Sequence, residues 1–212
     1  MRTSHKEMRR KINAEVSKIT DEELFSSAAF AAYLTDIAEA VTKRYKRRLR
    51  VETIYDTSEN AMIACTNNRN ILINTGNYIS QSMPYRKLKA ESILGLVGHE
   101  AGHMLFTNFR ISETYFSELS YGRLYPQMEL SEEEQESFTE VTDYFKTGTE
   151  AQKQAILKAA KLLLNILEDA YIEAKICDRY TGRFATGIHL NNIRFTEMIP
   201  SVTEQLTNGC YR

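Results

Sequence analysis

"SILGLVGHEAGHMLF", residues 92–106, decides how this chain is read. Its apolar spacing predicts a helix, within a helical stretch running from about Tyr85 to Asn108. On a helix, residues four apart share one face about one turn apart. His99 and His103 can therefore aim an imidazole nitrogen at one point. Glu100 follows about 100° round the helix, which puts its carboxylate beside that point rather than on it. The bland alternative is an ordinary helix bearing two histidines. Three fixed residues at fixed spacing arise by chance in roughly one per cent of chains this long. The surrounding apolar residues argue that the histidines are not simply solvated. Gly95, Gly98 and Gly102 each cost about 1 kcal/mol against alanine in a helix interior. Close approach of a neighbouring element or a substrate would offset that cost.

The spacing H-E-x-x-H is the logic of zinc hydrolases: two imidazoles hold the metal and the glutamate takes a proton from activated water. A catalytic zinc takes three protein ligands and keeps one position open. The third is sought downstream in "LLLNILEDAYIEAKI", residues 162–176. There Asn165, Glu168, Asp169 and Ile172 fall at i, i+3, i+4 and i+7, so carboxylates interrupt an apolar helix. Buried carboxylates are costly unless they pair or bind a cation. Pairing with Lys175 or Arg179 is the plain reading. The metal reading makes Glu168 the third ligand, with Asp169, and Asn165 on the same face, in support behind the histidines. An alternative register has Asp169 as ligand and Glu173 in support. For the oxyanion of a peptide-cleavage reaction, His189, Tyr171 and Arg183 are candidates. His189 is preferred, because a histidine beyond the ligand helix can fold back over the cleft. His5 lies in a polar helix and reads as solvated.

The rest of the chain bounds the answer. Its 212 residues suit one domain with a real core. A net charge of −1 gives no global reason to expect nucleic acid. No apolar run reaches membrane-span length, and "MRTSHKEMRRKINAEV" lacks the apolar core of a secretory signal. Cys65, Cys177 and Cys210 are odd in number and scattered. That argues for a reducing, cytoplasmic setting and against a thiolate zinc site. Residues 1–50 are basic, densest in "KRYKRRLR" (43–50), whereas "ELSEEEQESFTEVTD" (129–143) is strongly acidic. These read as solvated helix faces or, more sharply, as docking surfaces for a partner protein. Helices are expected over 5–19, 21–48, 131–146 and 150–180. Short β-branched runs at 51–55, 61–65 and 70–75 read as strands, with "NILINT" (70–75) placed at the edge beside the cleft. After Gly182 the pattern reads as loop plus a short helix.

"GHEAGHMLFT", followed some sixty residues later by "NILEDAYIE", resembles the metallopeptidase domain that often precedes a von Willebrand factor A domain and accompanies a MoxR-type AAA+ ATPase. The wider pattern looks like the gluzincin zinc peptidases. The resemblance covers roughly residues 50–180. It implies an α+β, zincin-like fold, mostly helical, with a three- to four-stranded sheet beside the H-E-x-x-H helix. It implies Zn2+ held by His99, His103 and Glu168, with Glu100 as general base. One departure stands: many gluzincins place an aspartate four residues after the ligand, and Ile172 occupies that position here. The expected organisation is a single domain, 1–212. It comprises a helical part at 1–50, a zincin core at 51–180 and a segment at 181–212 leading toward a downstream domain. The expected function is a zinc-dependent peptidase acting on a peptide or protein. The alternatives are a silent zinc-stabilised module docking a partner such as an AAA+ ATPase, and a helical domain without metal. Membrane and nucleic-acid partners are not expected.

Overall fold

The structure, a computed structural model, describes residues 4–45 and 49–207. Part of the basic run, at 46–48, and all of Cys210 lie outside the described residues. Three helices, α1 (His5–Val16), α2 (Asp21–Phe25) and α3 (Ala28–Thr42), precede the strands β1 (Arg50–Ile54), β2 (Ala64–Thr66) and β3 (Asn70–Asn74). Seven helices follow: α4 (Tyr78–Gln81), α5 (Arg86–Phe106), α6 (Phe109–Ser120), α7 (Glu132–Thr147), α8 (Glu150–Arg179), α9 (Arg183–Met198) and α10 (Val202–Thr207). The architecture is α+β and mostly helical. No helix among the described residues is long and apolar enough to cross a membrane. The chain divides into two compact units, Met1–Leu105 with Glu173–Arg212, and Phe106–Ile172.

In the first unit the expected helix over 21–48 is broken in two. Ser27 caps α3 by accepting from the Phe30 amide at 3.1 Å, a bond that favours a new start over a continued helix. α3 then ends at Lys43, whose φ of 57° is left-handed. The sheet has three strands in the order β1-β3-β2. β1 pairs with β3 in parallel and β2 pairs with β3 antiparallel. "NILINT" therefore supplies the central strand rather than an edge, and β1 and β2 are the edges. Val51, Ile71 and Ile73 point into one core with Phe25, Leu34 and Val97. This places the sheet and the H-E-x-x-H helix on a shared core.

α5 is buried almost all round, from Ser92 to Gly98 and again at Glu100, Ala101, Gly102 and Met104. A helix with apolar contacts on every side belongs in an interior. Its glycines make this possible. A Cβ at Gly95 would stand 2.3 Å from the Gly187 carbonyl carbon of α9. A Cβ at Gly98 would stand 2.6 Å from the Phe184 ring. α9 thus lies backbone against backbone on α5. Asn191 locks the pairing, donating to the Ser92 carbonyl at 3.0 Å and accepting from its hydroxyl at 2.6 Å. Gly95→Ala is expected to destabilise the protein by about 2–4 kcal/mol, because backbone on both sides cannot yield as a side chain can. Urea unfolding measures this.

The N-terminal corner is clamped by charge. Asp21 takes Arg86 at 2.6 Å and Lys89 at 2.8 Å, while Arg86 also donates to the Val16 and Ile19 carbonyls. Burial raises the Asp21 carboxyl, but hydrogen bonds from Lys89 and Arg86 outweigh it and hold the group below its ordinary 3.8. A depressed carboxyl stabilises above its unfolded pKa, and the contribution disappears as pH falls through the folded value. Asp21→Asn is expected to lower stability by about 1–2 kcal/mol at neutral pH. The difference from wild type should shrink below about pH 4, as measured by urea unfolding across pH.

The second unit is helical, made of α6, α7 and the first part of α8. Ser131 and Glu134 form a reciprocal cap that starts α7. Gly122, with φ of 68°, turns the chain after α6 and lets it pass close to Phe145.

Candidate metal centre

The expected pair on α5 converges. The His99 and His103 rings lie 5.0 Å apart, centroid to centroid, at an interplanar angle of 76°. His99 Nδ1 is 2.9 Å from Glu173 Oε1 on α8. An ionised carboxylate only accepts, so Nδ1 is the donor in this bond, and in a neutral ring Nε2 is the nitrogen left to bind a metal. Glu173 is held in turn, its Oε2 accepting from Asn192 Nδ2 of α9 at 2.7 Å. α9 therefore bears on the orientation of the His99 ring through one carboxylate.

Asp169 lies one turn upstream of Glu173 on the same unbroken helix. His99, His103 and Asp169 each offer a ligand atom, and these atoms lie within 4.8 Å of one another. All three residues are half-buried. Among the described residues this is the group of acids, histidines and cysteines that gathers so closely. Glu168, expected as the third ligand, is not in it. The reason is helical phase. Ile172 and Ile176 are fully buried and define the inward side of α8. Asp169 lies about 60° round from Ile172 on the same side as Ile176, and Glu168 about 40° the other way. The inward series i, i+3, i+4, i+7 starts at Asp169, not at Asn165. Asn165 is exposed one turn further out.

Glu100 is 5% exposed, so its carboxylate sits at the buried flank of the histidine pair. The thiol of Cys65, on edge strand β2, is pushed up first by burial and then by the negative charge of Glu100. The edge of the sheet is therefore within electrostatic reach of Glu100. Cys65 and Cys177 are free thiols.

Of the oxyanion candidates, His189 is not in the close group. His189 is exposed, about 200° round α9 from Gly187, the residue that touches α5. Arg183 forks onto Glu91 at 3.0–3.2 Å and donates to the Tyr33 hydroxyl. Tyr171 is exposed on α8. Asn192 escaped the sequence reading, and the loop plus short helix expected after Gly182 is instead the 16-residue α9. The available signal was the Asn191–Asn192 pair set between apolar residues at helical spacing.

Glu173→Ala is expected to weaken metal binding about 10–100-fold by freeing the His99 ring, and Asn192→Ala to do so less. Competition against a chromogenic chelator reads both.

No family model matches this chain, and no curated protein or solved structure matches it either.

Proposed function

We propose that the chain is a zinc-dependent peptidase. The observation that carries the reading is the meeting of His99, His103 and Asp169 next to a buried Glu100. Two imidazoles and one carboxylate form a donor set that suits zinc and leaves one tetrahedral position open. Zinc held there supplies a Lewis acid and lowers the pKa of water. Glu173 holds the His99 ring through Nδ1, so Nε2 would be the atom that holds the metal. Glu100, beside the ligands but outside their set, takes a proton from water and passes it to the leaving amine.

The substrate class rests on the sheet edge. β2 pairs with β3 on one side, and its other side offers backbone N–H and C=O groups. An extended polypeptide can add to such an edge as a further strand. Cys65 puts that edge within electrostatic reach of Glu100. With Asp169 as ligand, the acid four residues on is Glu173, which supports His99. This removes the departure that Ile172 poses when Glu168 is taken as ligand. The test is cleavage of an unfolded protein by zinc-loaded wild type and Glu100→Gln.

A further inference from the structure

Helix α1 has an apolar face with no buried residue. Met8, Ile12 and Val16 stand exposed at i, i+4 and i+8. The helix is nonetheless fixed in place. Ser4 and Glu7 cap its start reciprocally, and Arg86 grips the carbonyls of Val16 and Ile19 at its end. A helix of this length is marginal alone in water and draws its stability from packing its apolar face. Around that face the charge is basic: residues 5–19 carry five lysines and arginines against two glutamates.

The opposite surface lies in the other unit. The loop at 121–130 and α7 enclose two adjoining cavities of about 770 and 400 Å3. They share Leu124, Leu130 and Phe138 as an apolar floor. Glu133 and Glu134 line the smaller cavity, and in the larger one Glu118 is paired with Arg123. Between 129 and 143 there are seven carboxylates and no lysine or arginine. An apolar groove with an acidic rim fits an amphipathic helix with a basic rim, anchored at i, i+4 and i+8.

We propose that α1 of one copy docks in this groove of a second copy. Every copy carries both complementary surfaces, so any two copies in solution can make the contact. The apolar stripe of α1 would cover Leu124, Leu130 and Phe138. Arg9 and Lys11, which flank the stripe, would face Glu133 and Glu140, which lie two turns apart on one side of α7.

The test is sedimentation velocity on the full chain from about 1 to about 100 μM. The expected result is a mass of at least twice 24.4 kDa at the upper end. Association should weaken at least about tenfold between about 50 and about 500 mM salt, because rim charges are screened. Arg9→Glu with Lys11→Glu, and separately Glu133→Lys with Glu140→Lys, should each be monomeric with unchanged circular dichroism. Both pairs are exposed. Ile12→Ser should be monomeric too. Mixing the two charge-reversed proteins should restore association, since each then offers the other complementary rims. Three results overturn the proposal. Wild type could remain monomeric at the highest concentration in low salt, including the case in which it instead sediments with anionic phospholipid vesicles. The reversed variants could associate like wild type. Cross-links between α1 and the groove could form only within single chains.

Discussion

Glu100→Gln is expected to abolish cleavage of an unfolded protein while leaving zinc content and melting temperature near wild type. The argument is geometric. Glu100 directly follows His99, so on the helix it is turned about 100° from the ligand direction. His99, His103 and Asp169 form the close group without it. Glutamine keeps the shape and removes the basicity. A general base contributes on the order of 10²–10⁴-fold in rate, so the residual activity should fall by that factor. The buried position makes the replacement gentle, because the neutral amide is easier to bury than an ionised carboxylate. The assay is run with and without an AAA+ ATPase, so that a partner-gated enzyme is not mistaken for an inert one. Equal behaviour of wild type and variant in both settings, with zinc bound to each, would leave a zinc-stabilised docking module as the reading.

The second large effect is expected from His103→Ala. Losing one imidazole leaves one histidine and one aspartate, too few for a tight zinc site. A ligand that binds only the folded state adds RT ln(1 + [L]/Kd), about 4 kcal/mol at a thousandfold excess over Kd. For a chain of this size each kcal/mol moves the melting temperature by about 2–4 °C. His103→Ala should therefore melt about 8–16 °C below the zinc-loaded wild type. It should match wild type once a strong chelator has stripped both. An equal melting curve with zinc present would mean that His103 does not hold the metal.

The helix that carries the histidines was legible because its chemistry is local: His99, Glu100 and His103 are set by one helical turn. β1 and β3 were legible for the same reason, as short runs rich in β-branched residues around Val51, Ile71 and Ile73, whereas the strand expected at 61–65 is β2, Ala64–Thr66. The acid that gathers with the histidines was harder to read, because it depends on the phase of α8. Leu162, Leu163, Ile166 and Leu167 are apolar but exposed. They pulled the apparent inward face one residue toward Glu168, whereas buried Ile172 and Ile176 set it at Asp169. α9 was legible only as an uncertain segment. Gly187, Asn191 and Asn192 are weak helix formers, and what makes the helix is its contact with Gly95 and Ser92. Propensity cannot report a partner ninety residues away. The glycines of α5 did carry the message, since their cost implied a close neighbour. That neighbour is Gly187 at Gly95 and Phe184 at Gly98.

The central claim is the ligand set, and bound zinc in Asp169→Ala and Glu168→Ala, purified side by side without added metal, tests it most directly. Elemental analysis per mole of folded chain gives the count. The geometry predicts about one zinc in wild type and in Glu168→Ala, and close to none in Asp169→Ala. Zinc retained by Asp169→Ala and lost from Glu168→Ala, or no zinc in wild type, would contradict it.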